Sequence, residues 1–361
     1  MTGHARSGGF DTIRLCAALL VYHSHSFALA GRPEPSVPGY SLGGVAVIVF
    51  FAISGYWVTQ SALQRSFGAY AMARALRIFP GLAVSLVAVI LACALASSIP
   101  VNDYLVQPAT WRYLQNAFPF FLPALGEIPG VFEDGANHAV NGSLWTLRYE
   151  VMCYVALGLA ALFGRMGVRL VMIAAALFGA GVLGMMIAAG STAVGDHHIR
   201  LLDYLQVRWI ATFGAAFAFG AWLHGFDDRR LALAIAGSAA ALALTWRDPI
   251  LAPAAGLFLF GSTAIWLGRK LHLDRRITRG HDLSYGVYIY AFPCQQLAVR
   301  LVEPVGAADF AVYYLTGLAG TVTLAGLSWW LIERPALRLK DPILMQIERI
   351  GTAFPLRRKP A

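Results

Sequence analysis

Residues 43–61 read GGVAVIVFFAISGYWVTQS, a stretch with no charged side chain at all. The hydrocarbon core of a bilayer is about 30 Å thick, and an α-helix crosses it in about 20 residues of this kind. Working outward from this stretch, the chain offers ten near-continuous apolar runs, at approximately 12–29, 42–63, 76–99, 143–163, 168–189, 205–224, 231–246, 250–268, 283–302 and 310–332. The run at 231–246 is the shortest. Composition agrees: of 361 residues 58% are hydrophobic and 13% charged, against roughly half and a quarter in a soluble domain. The sequence therefore predicts an all-α membrane protein, a bundle of about ten transmembrane helices. No polar stretch is long enough to hold a second core, so residues 1–340 read as one membrane domain and 341–361 as a basic cytoplasmic tail suited to anionic lipid.

Charge sets the orientation. With the N-terminus inside, about 20 of the 28 Lys and Arg fall on the cytoplasmic side of these runs, as positive-inside bias requires. Both termini are then cytoplasmic. The first run carries Arg14, His23 and His25 and lacks a convincing cleavage site, so it reads as a retained span rather than a signal peptide. The net charge of +9 is spread between apolar runs without an aromatic-basic platform, which argues against nucleic acid. Cys16, Cys93, Cys153 and Cys294 have no metal or disulfide spacing and read as small core side chains. The adjacent His197 and His198 have poor metal spacing and read as solvated. The longest outer loop, 100–142, holds Trp111, Phe118 and Phe121 in a segment too short to span, and reads as interfacial or as a lid.

Ionisable groups inside apolar runs are the candidates for chemistry, because burying them in lipid costs several kcal/mol unless they are paired or hydrated. The stretch FDTIRLCAALLVYHSHSF (10–27) contains Arg14 and His25, eleven residues apart. On a helix that is within about 20° of one face and about 16 Å along the axis. His23 points elsewhere. A histidine titrates near neutrality and can take a proton from an attacking hydroxyl; alternatively His25 only hydrogen-bonds a neighbouring helix. In NGSLWTLRYEVMCY (141–154), Glu150 comes out at a depth comparable to His25, so it can orient that ring, or else pair with Arg148 as a structural salt bridge. Arg74 and Arg77, three apart at the cytoplasmic boundary, suit phosphate groups, or reflect positive-inside bias alone. Asn141-Gly142-Ser143 formally matches a glycosylation sequon.

In order along the chain, these segments resemble the acyltransferase 3 family of bacterial membrane O-acyltransferases, which includes enzymes acetylating O-antigen and exopolysaccharide. The first stretch resembles the family's arginine and histidine separated by ten residues. Residues 43–61 resemble its glycine-led second helix, with Ser54-Gly55-Tyr56 at the end. RALRIFPGL (74–82), SLWTLRYEVMCY (143–154), LSYGVYIYAF (283–292) and LIERPALRL (331–339) resemble its later motifs, the last carrying Glu333 and Pro335. One departure is Ala291, where many members carry a histidine.

The resemblance implies a multi-pass enzyme of the bacterial inner membrane that moves an acyl group from a coenzyme A thioester, with acetyl-CoA as donor and no permanently bound cofactor. It implies a sugar hydroxyl as acceptor. Its site residues map to His25 and Glu150 as catalytic groups, and to Arg14, Arg74, Arg77, Trp145, Tyr154, Ser284 and Tyr285 for substrate or donor binding. Two other classes compete on the residues alone. A transporter also places charges between helices, but no inverted repeat is visible here. A scaffold without chemistry would leave the same charges as structural pairs.

Overall fold

A computed structural model describes residues 8–119, 121–190, 198–199 and 202–353. His197 and the end of the tail, 354–361, lie outside the described residues. Ten helices of fifteen residues or more occur among the described residues: α1 (Phe10–Leu29), α2 (Leu42–Gln64), α3 (Phe67–Cys93), α6 (Leu147–Ala161), α7 (Gly164–Ala189), α8 (Val207–Leu223), α9 (Asp228–Thr245), α10 (Leu251–Lys270), α11 (Ser284–Val302) and α12 (Ala307–Ser328). Each coincides with one apolar run of the sequence. Five stretches, α2, α3, α7, α10 and the run beginning at Ala307, are long and apolar enough to cross a membrane. The chain is a predominantly helical membrane protein.

Short elements join these helices. Strands β1 (Ser36–Val37) and β2 (Tyr40–Ser41) form a hairpin whose Pro38-Gly39 turn places Gly39 at φ +81°, a conformation only glycine adopts freely. Helices α4 (Val101–Val106) and α5 (Pro108–Arg112) lie in the long loop, and β3 (His198–Ile199) pairs with β4 (Leu202–Gln206) before α8. After α12 the chain widens into a π-helical turn, Trp329–Glu333, then continues as α13 (Arg334–Arg338) and α14 (Lys340–Ala353).

The packing shows which helices belong inside. Helix α2 is flanked by α1, α8 and α10, while α1 also packs on α11, which pairs with α12. Backbones approach closely where side chains are small: a Cβ on Gly55 would strike the Phe217 carbonyl, and one on Gly220 would strike that of Ala52. Without a hydrophobic drive between helices in lipid, this close approach is what makes them associate. By contrast, α9 buries only Leu231, and only 6% of the most apolar stretch of α7 is buried. Leu170, Leu177, Phe178, Met185, Leu233 and Leu244 are exposed on these helices. In water such a surface would drive aggregation; against acyl chains it is neutral.

The long loop at 100–142 is not a loose flap. Tyr104 and Tyr113 are fully buried, the Tyr104 hydroxyl donates to the Ile90 carbonyl at 3.1 Å, and Gln296 donates to the carbonyls of Asn137 and Ala139. Phe118 and Phe121 stay exposed, as interfacial residues do. The tail also differs from a free basic segment, for α14 docks on α3 with Leu344 buried against Ala69 and Ala73. Asn141 is 5% exposed and its amide donates to the Ile289 carbonyl, so the sequon asparagine is built into the structure.

Gly220→Leu is expected to cost about 3 kcal/mol or more, since its contact is backbone and cannot yield, whereas Gly184→Leu on α7, whose added Cβ meets nothing within 4 Å, is expected to be near neutral. Thermal unfolding of the solubilised variants reads the difference.

Candidate active site

The helix carrying Arg14 and His25 directs both toward α11, Arg14 at its start and His25 near its middle. Near the start of α11, Arg14 Nη1 lies 3.0 Å from Asp282 Oδ2, and Arg77 Nη2 lies 2.7 Å from the same oxygen. Ser284, fully buried, donates its hydroxyl to the other Asp282 oxygen at 2.5 Å. Arg77 also reaches Glu333 Oε2 at 3.4 Å through Nη1, and Ser328 donates to Glu333 Oε1 at 2.9 Å. The π-helical turn, a feature that recurs at functional sites, sets Glu333 inward at 2% exposure. Two guanidinium groups and two carboxylates are thus held together inside the apolar bundle. Deleting one member of such a group costs about 3–5 kcal/mol, because an unpaired charge is left behind.

These contacts divide the arginines. Both Nη atoms of Arg77 are engaged with carboxylates, and its guanidinium lies 5.4 Å from the Tyr285 ring centre. Its role is to hold the network. Arg74, three residues away, faces the Tyr154 ring at 5.7 Å. The buried Nε atoms of Arg14 and Arg74 make no hydrogen bond within the protein.

Beside this network lies a partly open pocket lined by Arg14, Phe50, Phe51, Ser54, Thr146, Glu150, Ser284, Tyr285 and Tyr288, among others. Tyr285 is fixed by donating to the Ile78 carbonyl at 2.7 Å, and Tyr288 by donating to that of Ser143 at 2.7 Å and by a short contact with Thr146. Glu150 accepts a hydrogen bond from the Tyr154 hydroxyl at 2.6 Å, and that hydroxyl lies 3.3 Å from Ser54 Oγ. Four of the residues expected at the site, Arg14, Glu150, Ser284 and Tyr285, therefore share one pocket. Trp145 does not line it. It packs edge-on to Tyr149 and against Trp209 and Phe213, and Phe213 in turn stacks on the pocket residue Phe51.

His25 stands elsewhere. Its ring meets Phe292 edge-to-face with centres 5.3 Å apart, one helical turn beyond the pocket residue Tyr288, and its buried Nδ1 has no hydrogen-bond partner. The expected pairing with Glu150 is not formed, and neither is the alternative ion pair of Glu150 with Arg148: the Glu150 carboxylate faces Tyr154. Glu34, in the segment after α1, accepts from Ser24 Oγ at 2.6 Å. His23, as its helical position predicts, points away, toward Tyr314 on α12. Sequence reasoning passed over Asp282 and Glu34; the only local sign of the first is its position two residues before a serine at the start of an apolar run.

Comparison with known proteins decides what this arrangement belongs to. Residues 7–330 match the family described as "Acyltransferase domain". The chain belongs to this acyltransferase family. It is 30% identical over 347 residues to the "O-acetyl transferase" of Shigella phage Sf6, a match covering 94% of this chain and 98% of the phage protein. It is 28% identical over 385 residues to "Nodulation protein 10" of Rhizobium leguminosarum bv. viciae, covering 95% and 96% respectively. No solved structure matches the chain. The membership makes this acyltransferase a membrane enzyme and removes the transporter and the inert scaffold.

The assignment of Glu150 to Tyr154 is open to a double-mutant test. Glu150→Gln and Tyr154→Phe are expected to couple by about 0.5 kcal/mol or more in unfolding, while Glu150→Gln and His25→Ala are expected to add within about 0.5 kcal/mol.

Proposed function

We propose that this acyltransferase is an O-acetyltransferase of the bacterial cytoplasmic membrane, moving an acetyl group from acetyl-CoA to a hydroxyl of a cell-surface or exported carbohydrate. The observation that carries the reading is the placement of Arg14 and His25 on one face of α1, about 16 Å apart along it, with the pocket beside Arg14 and toward His25. The acetyl group and the hydroxyl acceptor are supported by the printed name of the phage relative. Ten spans with both termini cytoplasmic accord with the ten long helices and with the distribution of Lys and Arg.

In this reading the phosphates of the donor sit at the cytoplasmic end, on Arg14 and Arg74, with Arg14 kept in place by Asp282, which Arg77 shares, and Arg74 set over the Tyr154 ring. The pantetheine arm runs through the pocket past Ser284, Tyr285 and Glu150 and brings the thioester toward His25. His25 accepts the proton of the acceptor hydroxyl as its oxygen bonds to the acetyl carbonyl carbon. The carbon–sulfur bond then breaks, the coenzyme A thiolate leaves, and the proton on His25 passes to it. Oxygen gains the acetyl group and sulfur gains the proton, so no further reactant enters. Direct transfer needs no resident cofactor.

Two measurements separate the roles. Acetyl-CoA turnover by purified His25→Ala is expected to fall about 10²–10⁴-fold in kcat, and Arg74→Ala to raise the KM for acetyl-CoA roughly ten-fold or more, the worth of one charge-assisted contact. Unchanged donor affinity in Arg74→Ala removes the phosphate role. Mass spectrometry of surface glycans reads the acceptor: O-acetyl groups are expected to vanish on deletion, return with the wild-type chain and stay absent with His25→Ala.

A further inference from the structure

A second cavity, lined by none of the site residues, takes no part in the reading above. It is an open groove between α8, α9 and α10, walled by Phe219, Trp222, Phe226, Leu233, Gly237 and Phe258, among others, with Arg230 also on its wall. Its aromatic side is ordered: Trp222 and Phe226 meet with ring centres 4.5 Å apart, and Phe219 and Phe258 at 4.9 Å. Trp222 and Leu233 are 61% and 64% exposed, so the groove opens outward. Helix α9 packs along α10, and the space between α9 and α8 is where the groove runs. From Arg230 to Ser238, its residues on α9 extend about 12 Å along the helix axis.

The charges at its end are unequal. Asp228 is engaged by Arg269 at 2.7 Å and Lys270 at 2.5 Å. Asp227 caps α9 by accepting from the Arg230 N–H at 2.8 Å and lies 3.9 Å from Arg230 Nε. Two carboxylates thus stand among four cations, Arg229, Arg230, Arg269 and Lys270, and the Arg230 side chain is 67% exposed. Apolar walls that open toward lipid, aromatic residues at the interface level and a cationic end together match a phospholipid with a negatively charged head.

We propose that this groove binds one anionic phospholipid, an acyl chain lying along Leu233, Gly237 and Phe258 and the phosphate at Arg230. The proposal needs the membrane location but not the acetyl donor or the acceptor. The lipid fills the gap beside α9, the helix that otherwise buries only Leu231, and so ties it to α8.

Native mass spectrometry of the full chain, released from detergent after addition of phosphatidylglycerol or phosphatidylcholine, tests it. One phosphatidylglycerol is expected to stay bound under activation that strips phosphatidylcholine. Gly237→Trp places an indole on the groove wall at a position where an added Cβ meets nothing within 4 Å. It is expected to lower retention roughly five-fold, as is Arg230→Gln. Gly184→Trp, equally open on α7, is expected to change nothing. Equal retention of the two lipids, or undiminished phosphatidylglycerol in Gly237→Trp, overturns the proposal. Loss in Gly184→Trp as large as in Gly237→Trp overturns it as well, because binding is then to the general lipid surface.

Discussion

The carboxylate of Asp282, shared by Arg14 and Arg77, is the interaction on which the site depends. Each guanidinium brought into an apolar bundle carries a desolvation penalty of several kcal/mol, and a carboxylate at 2.7–3.0 Å with its other oxygen held by Ser284 is what offsets it. Three chain segments far apart in sequence meet at this one group: α1 through Arg14, α3 through Arg77 and the start of α11 through Asp282 itself. Glu333 adds a fourth from the π-helical turn. The pocket wall beside it is therefore fixed by charge rather than by shape alone.

Distance from this network orders the rest of the molecule. Helices α1, α3 and α11 bring the polar contacts together, and α2 beside α1 is buried deeply, with glycines letting α2 and α8 touch backbone to backbone. Helices α7 and α9 turn large apolar side chains outward, where acyl chains solvate them. The long loop at 100–142, anchored through Gln296 and Asn141 to α11, brings Gly142 against Phe292, the ring that meets His25. The acyltransferase thus surrounds its polar interior with protein on the sides and at the end covered by the 100–142 loop.

Much of this was legible in the sequence. Apolar runs report helices directly because the bilayer selects for length and composition, so every long helix coincides with a run that composition marks out. The shared face of Arg14 and His25 followed from helical geometry alone, as did the divergence of His23. The pairing of His25 with Glu150 did not survive, because it rested on depth counted from span boundaries. The 3₁₀ turn Leu144–Thr146 delays the start of α6 to Leu147 and leaves Glu150 in its first turn, beside Tyr154 and in the pocket with Arg14. Asp282 escaped notice because it lies in a loop just before a helix, where a carboxylate is ordinarily solvated; only the tertiary fold buries it to 7% exposure. The unlike roles of Arg74 and Arg77 likewise come from which neighbours each meets, which spacing on one helix does not encode.

The most direct test of this account is a double-mutant cycle between Arg77→Met and Asp282→Leu, read by thermal unfolding of the reconstituted enzyme. Each single change is expected to be destabilising by about 3–5 kcal/mol, since it strands a buried charge, while the double variant loses far less than their sum. Additive losses would show that the two side chains act independently, and the charge network would no longer explain how the site is held.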